Sequence, residues 1–389
     1  MHLVFATSIV PHGDPATGYE IANAAIIDAL RRAGVRVTVL GFTWPGKQPA
    51  DPRNTVVLGS VDVRTDTASA KRKAAWLSRA VIGGTTFSSV KLRAVSPPDI
   101  EAALSRIEPF DGYVLNSVQF AGAFPDLFGD KPSIFVAHNV EFRSAQENAA
   151  SAANPLQKYL FRREARLLEA IERRLCDRAA FVFTLADEDR AVLGVTAPGK
   201  SAALPLVTPA SGYRLPANRD PQYDAGLIGT WTWQPNRIGL DWFFGQVVPR
   251  LPQGFSIAVA GRMPVDMRAP AGVTLVGRVA DAIEFARDCR VVPLISRAGS
   301  GVQLKTIEAF ELGLPSVATS RSLRGIDAVP ANCIVADDPG EFAHALSAAA
   351  TDVRDVDPQR FRHSQRAALD RQIMVGLAAL GYRQEKACA

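Results

Sequence analysis

The chain has 389 residues, of which 47% are hydrophobic and 21% charged, with a net charge of +5 at pH 7 and a pI near 9.1. These values are typical of globular proteins, and the length exceeds that of one small domain, so we expect two α/β domains. No apolar run approaches the length that crosses a bilayer, which excludes a predicted transmembrane helix.

The first residues of the chain and the spacing of its cysteines indicate the cellular compartment in which the protein works. Residues 2–6 begin a strand at once, without the basic region, apolar core and cleavage site of a secretory signal. Cys176, Cys289, Cys333 and Cys388 are scattered, and they show neither CxxC spacing nor a histidine in metal spacing. This distribution is typical of reduced, structural cysteines. We therefore expect a cytoplasmic protein.

The positive charge is concentrated in one stretch. Residues 67–98 contain no acidic residue, and their basic side chains alternate with apolar and aromatic ones. The basic members are Lys71, Arg72, Lys73, Arg79, Lys91 and Arg93. Residues 71–93 suit peripheral contact with an anionic membrane, and they equally suit a solvated loop-and-helix face. Nucleic acid is not an expected partner, since no binding motif accompanies the charge.

The first half of the chain alternates between predicted strands and helices. A buried strand over 2–7 leads into a loop over 8–18, and a helix over 19–33 ends at Gly34. This opening is Rossmann-like but lacks the GxGxxG motif, which weakens a dinucleotide-binding interpretation. Further strands are predicted over 35–42, 56–63, 113–115, 133–137 and 181–184, and further helices over 98–107 and 155–178.

Two polar features of this half are candidates for function. His138 follows the strand over 133–137, and ligands of open α/β sheets bind beyond the carboxyl ends of strands, so its position favours a functional histidine over a structural one. The triplet Asp187-Glu188-Asp189 is formally a DxD motif. Acidic residues at a helix start need no metal ion to explain them, and we predict no metal site.

Residues 208–224 are rich in proline, glycine and polar side chains and form the predicted linker. We predict an N-terminal domain over 1–210, a C-terminal domain over 222–357 and a C-terminal helical segment over 358–389. Strands of the second domain are predicted over 225–229, 255–260, 273–276, 291–295, 316–319 and 332–336, and helices over 237–248, 281–287 and 358–382.

The most informative stretch is 293–319, PLISRAGSGVQLKTIEAFELGLPSVAT. An apolar strand ends in the loop 298–301, a helix with apolar positions from Val302 onward follows, and Gly313 stops that helix before another strand. Glycines let a ligand approach the backbone, and a helix start offers N–H groups at a positive dipole end. This combination suits a phosphate group.

Lys305 lies in the first turn of that predicted helix, and Glu308 lies three residues on, so both share a face. Lys305 suits the diphosphate of a nucleotide, and Glu308 suits its ribose hydroxyls. The alternative is an ordinary helix with a lysine–glutamate pair on its surface.

The stretch resembles the donor-binding segment of retaining GT-B glycosyltransferases of family 4, whose usual motif is Glu-x7-Glu. Glu308-Ala309 and the run 313–319 match its second half, but Ser300 stands where the first glutamate is expected. The variant Gly-x-x-x-Lys-x-x-Glu-Ala, found in an exopolysaccharide-associated branch, matches Gly301 to Ala309. The resemblance implies two Rossmann-like domains facing across a cleft, with a C-terminal helix that crosses back to the first.

The same resemblance implies the chemistry. A hexosyl group would pass from a nucleoside-diphosphate sugar to a glycan or lipid-linked acceptor, with retention and without a separate cofactor or metal, in the cytoplasm or peripherally at the inner face of the membrane. The predicted catalytic residues are His138, Lys305 and Glu308. The predicted donor-binding residues are Gly18, Thr230, Asn236, Arg237, Arg262, Val279, Arg297, Gly299, Ser300 and Gly301.

Several of these assignments follow family positions. Gly18 corresponds to the glycine loop of the first domain. Thr230 stands where the family commonly has an arginine, and Arg237 lies near its lysine, so we infer that Lys305 supplies most of the charge at the phosphates. Val279 is the candidate for backbone pairing with the nucleobase.

Two other functions stay open at this point. A GT-B-like sugar-nucleotide epimerase would keep the donor site and use Glu141 and His138 as acid and base. A non-enzymatic, scaffold-like member, marked by Ser300 in place of the first glutamate, would bind no nucleotide.

Overall fold

The computed structural model describes residues 1–13, 17–65, 68–209, 220–299, 301–351 and 357–382. The chain forms two compact units. The first comprises Met1–Leu204 and the chain from Ala368 onward, and the second comprises Pro205–Ala367. Within the described ranges, no helix is both long enough and apolar enough to cross a membrane.

The first unit is built on a seven-stranded sheet in which every pair of neighbours is parallel. Its strands are β1 (His2–Ile9), β2 (Arg36–Thr43), β3 (Thr55–Ser60), β4 (Gly112–Asn116), β5 (Ser133–Ala137), β6 (Phe181–Thr184) and β7 (Ser201–Ala203). The spatial order is β3-β2-β1-β4-β5-β6-β7. Because helices cover both faces, β1, β4, β5 and β6 are buried along their whole length, as the nearly continuous apolar runs predict.

The helices of this unit connect successive strands. They are α1 (Gly18–Arg32), α2 (Ala70–Ile82), α3 (Phe87–Leu92), α4 (Pro97–Ser105), α5 (Val118–Ala123), α6 (Glu141–Ser151), α7 (Pro155–Arg178) and α8 (Glu188–Val192). The strands β5 and β6 and the helix α7 have the predicted limits.

Helix α7 supplies carboxylates to the starts of two other helices. Glu164 accepts from the backbone N–H of Phe87 at the start of α3, at 2.9 and 3.0 Å. Glu172 accepts from the N–H groups of Glu141 and Phe142 at the start of α6, at 2.8 and 2.9 Å. A carboxylate satisfies orphan donors at a helix start and interacts favourably with its dipole. Glu172 thereby fixes the backbone three residues beyond His138.

The second unit has a six-stranded sheet, also parallel throughout. Its strands are β8 (Tyr223–Thr230), β9 (Ile257–Arg262), β10 (Val273–Gly277), β11 (Cys289–Leu294), β12 (Ser316–Ala318) and β13 (Cys333–Val335), in the spatial order β10-β9-β8-β11-β12-β13. Its helices are α9 (Gln234–Trp242), α10 (Ala282–Arg287), α11 (Leu304–Glu311) and α12 (Pro339–Thr351). One π-helical turn, Phe243–Val247, continues α9.

The last helix, α13 (Pro358–Ala379), begins in the second unit and belongs to the first unit from Ala368 onward. In the first unit its apolar side chains Leu369, Ile373 and Leu377 are completely buried. Asp370 also pairs with Arg32 of α1 at 2.6 Å. The helix therefore packs back on the first unit, as predicted for the C-terminal segment.

Both sheets have a topological switch point. The chain order reverses between β1 and β4 in the first sheet and between β8 and β11 in the second. In open parallel sheets a crevice forms at such a point, beyond the carboxyl ends of the strands. We therefore expect a ligand in each unit to bind near the residues that follow these strands, which are β1 and β4 in the first unit and β8 and β11 in the second.

Candidate functional site

In the second unit, the predicted helix start at the switch point brings three of the predicted residues together. The Nζ atom of Lys305 lies 3.5 Å from Oδ1 of Asn236, and Nδ2 of Asn236 donates to the carbonyl oxygen of Thr230 at 3.1 Å. Burial lowers the pKa of Lys305 to about 8. A desolvated ammonium whose amide contact is this weak is prepared to bind an anion.

The ammonium of Lys305 lies over the ring of Trp231, a residue that the sequence analysis did not identify. Its ring is almost completely buried, and its centroid lies 5.5 Å from Nζ of Lys305. The indole N–H donates to the carbonyl of Ala260 at 2.7 Å, which fixes the ring. The available signal was the position of Trp231 directly after a strand. A tryptophan face attracts a cation, so the ring helps to hold the lysine in place.

Glu308 lies one turn further along α11 and lines the same small cavity as Lys305 and Trp231. Burial, with a smaller contribution from the charge of Asp281, raises the pKa of its carboxyl group. The shared face predicted for Lys305 and Glu308 is therefore confirmed by the structure. Their catalytic roles stay predictions.

The loop before α11 is fixed by side chains from elsewhere in the unit. Gly299 has φ of +95°, which strongly favours glycine, and its carbonyl accepts from Nε and Nη2 of Arg321 at 3.1 and 2.7 Å. Ser300 lies outside the described residues. The helix begins at Leu304 and not at Val302 as predicted, because Gln303 has an extended backbone.

Gln303 also leaves the start of α11 without a side-chain cap. Its side chain donates back to the carbonyl of Gly301 at 3.2 Å, and it makes no capping hydrogen bond to the helix. The first turn of α11 thus begins without a side-chain cap. This is the arrangement in which a bound anion satisfies the first N–H groups of a helix.

Two of the predicted donor-binding arginines have acidic partners. Nε of Arg237 lies 2.7 Å from Oδ1 of Asp241, one turn later in α9. The guanidinium of Arg297 stacks over the ring of Trp242 at 4.7 Å and lies 3.7 Å from Oδ1 of Asp337. Lys305, by contrast, is the only lysine in the sequence between positions 205 and 367. The unit therefore uses a compact ammonium at this one position and arginine elsewhere.

The other predicted donor-binding residues lie at the ends of neighbouring strands. Arg262 is the last residue of β9, and its carbonyl accepts from the N–H of Trp231 at 2.8 Å. Val279 follows β10 and packs against the apolar cluster that includes Ala260 and Phe285. The structure does not assign a ligand to either residue.

In the first unit, His138 follows β5 and belongs to a buried hydrogen-bond network. Its Nε2 lies 2.8 Å from Oδ1 of Asn116, the last residue of β4. The ring centroids of His138 and Tyr19 are 4.8 Å apart, and the Tyr19 hydroxyl lies 2.8 Å from Oγ1 of Thr7. Burial lowers the pKa of His138 to about 4, so the ring is neutral at pH 7.

The sequence reasoning missed the partners of His138. Asn116 and Thr7 are far apart in the sequence, but β1 and β4 are neighbours in the sheet, and Thr7 pairs with Asn116 in the register. The available signal was the polar end of two otherwise apolar strands. Ser117, which follows Asn116, has φ of +71° and is buried. A non-glycine residue in this conformation costs about 1–3 kcal/mol, and such strain concentrates at functional sites.

A pocket of about 390 Å³ lies beyond the carboxyl ends of β1, β2 and β3. Tyr19, Trp44 and Gln119 line it, and the indole N–H of Trp44 donates to the buried carboxylate of Glu20 at 2.6 Å. Within the described part of the chain, Oε1 of Gln119 is a buried acceptor without a hydrogen-bond partner. The volume and the mixture of aromatic and polar groups are typical of a small-ligand site.

Gly18 borders this region but does not lie in a loop as predicted. It is the first residue of α1, directly after Thr17, which caps the helix together with Glu20. The helix starts one residue earlier than predicted because this reciprocal capping box satisfies its first N–H groups. A role of Gly18 in donor binding stays a prediction.

The DxD triplet has a local explanation. Asp187 precedes α8 and pairs with Arg190 at 2.7 Å. Across the residues that the structure describes, no group of three or more histidine, cysteine or acidic side chains is arranged to hold a metal ion.

Comparison of the whole chain with solved structures gives the fold. WaaG, a glycosyltransferase involved in lipopolysaccharide biosynthesis, superimposes with a TM-score of 0.57 at 15% identity, over 97% of this chain and 98% of WaaG. The catalytic domain of Starch Synthase IV from Arabidopsis thaliana, bound to ADP and acarbose, gives 0.58 at 10% identity, over 98% and 99%. Anabaena Alr3699/HepE in complex with UDP gives 0.55 at 13% identity, over 98% of each chain. The chain has the GT-B fold.

The sequence comparison concerns the second unit. Residues 222–352 match the family described as Glycosyl transferases group 1. No curated protein sequence matches the chain. Fold and family match together support a glycosyltransferase of the GT-B type, and the matched segment contains Lys305 and Glu308. Membership of family 4 and of its exopolysaccharide-associated branch stays a prediction.

Proposed function

We propose that this protein is a metal-independent, retaining glycosyltransferase of family 4 that transfers a hexosyl group from a nucleoside-diphosphate sugar to an acceptor hydroxyl. The observation that carries the proposal is that Lys305 and Glu308 line one small cavity at the switch point of the second sheet. Both lie within the segment that matches the group 1 family. HepE, which has the same fold, was solved with UDP. The nucleotide sugar is itself the donor substrate, so no separate cofactor is required.

The chemistry follows from where charge develops. As the glycosidic bond of the donor breaks, negative charge accumulates on the leaving diphosphate. The ammonium of Lys305 and the N–H groups at the start of α11 stabilise that charge by preorganised electrostatics. Glu308 accepts from the ribose hydroxyls, and the backbone at Val279 contacts the base. Asn236 and the loop 299–301 complete the donor contacts.

For the acceptor, we propose the pocket in the first unit that Tyr19, Trp44 and Gln119 line. An aromatic wall with an unpaired amide oxygen suits a sugar, which presents apolar ring faces and hydroxyl donors. The acceptor class that we propose is a growing or lipid-linked polysaccharide, in line with the resemblance to the exopolysaccharide-associated branch.

Calorimetric titration with UDP and GDP tests the donor site. We expect one diphosphate to bind per chain and to take up about half a proton at pH 8, because the free lysine has its pKa near 8 and a bound dianion raises it. Proton uptake is read from the dependence of the binding enthalpy on the ionisation enthalpy of the buffer. The Lys305→Met variant should show none of this uptake. If neither nucleotide binds, the transferase proposal and the epimerase alternative are both wrong.

The epimerase alternative makes a different prediction. It requires His138 or Glu141 to exchange protons with the sugar, and isomerisation of the donor would occur without any acceptor. Burial keeps His138 neutral and raises the pKa of Glu141, whose carboxylate also accepts from Nε2 of Gln119 at 3.2 Å. A product analysis with the nucleotide sugar that gives the largest thermal shift separates the two functions.

We also propose that the protein works in the cytoplasm, peripherally at the inner face of the cell membrane. Residues 71–93 would make this membrane contact. Trp76 cannot take part in it, because its side chain is buried against Ala80 and Val90. The large apolar side chains that α2 exposes are at its end, where Val81 is 49% and Ile82 is 85% exposed. Arg79 lies in the same last turn of α2, and a basic side chain beside exposed apolar ones suits an anionic surface.

The change Ile82→Glu tests this contact. We expect it to weaken binding to anionic vesicles about tenfold, because it removes an inserting side chain and adds a negative charge near anionic lipid. Co-sedimentation with phosphatidylglycerol vesicles, compared with neutral vesicles, measures the effect. Val192→Glu, an exposed valine of α8 in the same unit, is the matched control. Equal sedimentation with neutral and anionic vesicles would remove the membrane proposal.

A further inference from the structure

Lys91, one of the basic residues of the stretch 67–98, lines a pocket of the first unit. It lies in α3, and the pocket is the one of about 390 Å³ that we propose for the acceptor. The charged residues among those that line this pocket are Lys91 and Glu20. The class of acceptor that the pocket suits therefore depends on which of these two charges is available to a ligand.

The carboxylate of Glu20 is already satisfied by the protein. Its Oε2 accepts from the N–H and the hydroxyl of Thr17, at 3.0 and 2.9 Å. Its Oε1 accepts from the indole N–H of Trp44 at 2.6 Å and lies 3.0 Å from Nε2 of His12. A carboxylate has about four acceptor sites, and these contacts fill them. The side chain is also only 1% exposed, so Glu20 is not available to a ligand.

The ammonium of Lys91 is held in place by neutral groups. Its Nζ donates to the carbonyl oxygen of Val63 at 3.0 Å and to Oγ1 of Thr65 at 2.6 Å. The ring centroids of Phe87 and Trp76 lie 4.7 and 5.1 Å from the same atom, and an aromatic face attracts a cation. An ammonium has three N–H donors, so these contacts fix its position and leave one donor for a ligand.

Among the residues that the structure describes, Lys91 has no ion-pair partner. Burial lowers its pKa to about 8, although the carboxylates of Glu164 and Asp62 act in the opposite direction from beyond ion-pair distance. Each of these carboxylates has nearer donors. Glu164 accepts from the backbone N–H at the start of α3, and Asp62 pairs with Arg64 at 2.9 Å. A desolvated cation without a counter-ion is stabilised when a ligand supplies one.

We propose that the acceptor is an acidic sugar, whose carboxylate or phosphate group binds the ammonium of Lys91 while its ring lies in the pocket beside Tyr19 and Trp44. The hydroxyl groups of a neutral sugar would leave the charge of Lys91 uncompensated, and a hydrogen bond to an ionised group is the stronger one. The inference rests on the proposed glycosyltransferase function only for the role of this sugar as the acceptor.

Calorimetric titration of the full-length protein, without any nucleotide, tests the class of ligand. The probes are methyl β-D-glucuronide, D-glucose 6-phosphate and the neutral methyl β-D-glucoside, all at one ionic strength. We expect the better acidic probe to bind roughly tenfold more tightly than the glucoside, because its anionic group forms a charge-assisted hydrogen bond. The identity of that probe distinguishes a carboxylate from a phosphate. If neither acidic probe binds, or if the glucoside binds as tightly as both, the proposal is wrong.

Two variants of Lys91 assign this preference to the pocket. Lys91→Met removes the charge and keeps an apolar chain between the aromatic rings, and Lys91→Gln removes the charge and keeps an N–H donor. In both we expect the preference for the acidic probe to fall below about twofold. Lys131→Met, which changes a lysine of the same unit that pairs with Glu108, should keep it. Thermal unfolding checks that each variant is folded.

A preference for the acidic probe that persists in both Lys91 variants would overturn the proposal. So would a preference that Lys305→Met abolishes, because the anion would then bind at the donor site.

Transfer kinetics separate this inference from the proposed function. The donor is the nucleotide sugar that gives the largest thermal shift, and the acceptor is the better acidic probe. We expect Lys91→Met to raise the KM for the acceptor roughly tenfold and to leave the KM for the nucleotide sugar unchanged. A rise in the KM for the nucleotide sugar alone would contradict the inference. If no transfer occurs, the titration with acidic probes still decides whether Lys91 binds them, and the UDP titration decides whether the donor site exists.

Discussion

Replacing Lys305 by methionine is expected to lower kcat/KM for nucleotide-sugar turnover roughly 10²- to 10³-fold, the usual cost of removing one preorganised charge from a developing anion. The folded protein should lose no stability. The ammonium is desolvated, as its pKa of about 8 indicates, and its partners among the described residues are the amide oxygen of Asn236 and the face of Trp231. A methionine of similar length removes that desolvation cost and still covers the indole.

The variant Lys305→Arg tests whether a positive charge of any shape is sufficient at this position. Arginine keeps the positive charge, but its planar guanidinium is larger than an ammonium and needs several acceptors in one plane. The cavity that Lys305 and Glu308 share is small, so we expect Lys305→Arg to recover little of the lost activity. Arg250→Met changes an exposed base in the same unit and serves as the control.

The measurements are steady-state kinetics, UDP titration and thermal unfolding for all three variants. A drop in kcat with an unchanged dissociation constant for UDP would place the charge contact in the transition state alone. A Lys305→Met protein that works at full speed would contradict the assignment of the diphosphate to this helix start. So would a Lys305→Met protein that loses activity only because it unfolds.

The parallel strands were predictable because buried parallel strands are nearly continuous apolar runs. The limits of β5 and β6 match for this reason. The limits of α7 match because its apolar positions recur with the period of a helix. Helices α6 and α12 were not predicted. Their sequences are rich in alanine and in mixed polar residues, so the contrast between a buried and a solvated face is weak. Helix α5 was not predicted either, because it has only six residues and is buried on nearly all sides, so it shows no amphipathic pattern.

For the candidate site, the local part was predictable and the long-range part was not. Lys305 and Glu308 lie within one turn, so spacing alone places them on one face. The partners of Lys305 come from the loop after β8 and from α9, and the partners of His138 come from α1 and β4. Nothing in one sequence specifies which polar strand ends become neighbours until the strand order is known.

The second large effect concerns the other end of helix α11. Glu311, its last residue, is buried, and its carboxylate accepts from the N–H and the hydroxyl of Thr208 and lies 3.2 Å from Nη1 of Arg362. Arg362 also donates to the carbonyl of Thr208 at 2.8 Å. These three residues connect the first residues of the second unit, helix α11 and helix α13, so the cluster supports the helix that carries Lys305.

Arg362→Met is expected to destabilise the second unit by about 3–5 kcal/mol, because it leaves a buried carboxylate without its cation. The double variant Glu311→Leu with Arg362→Met should recover part of that loss, since it removes the unpaired charge but leaves the N–H and the hydroxyl of Thr208 without their acceptor. Three of the five tryptophans, Trp231, Trp233 and Trp242, lie in this unit. Denaturant unfolding followed by fluorescence in a Trp44→Phe, Trp76→Phe background therefore reports on it alone.

The pH dependence of the same variants has a definite sign. Burial raises the pKa of Glu311 to about 7, above its ordinary value of 4.5, so its contribution to the free energy of unfolding is full below pH 4.5 and declines as the pH rises to 7. Without Arg362 the pKa rises further, and the cost of Arg362→Met should therefore be smaller at pH 5 than at pH 8. Glu311→Gln removes the titrating group and this trend with it. A penalty for Arg362→Met that is the same at both pH values, or a double variant as unstable as Arg362→Met, would show that the charge pair does not hold this end of the helix.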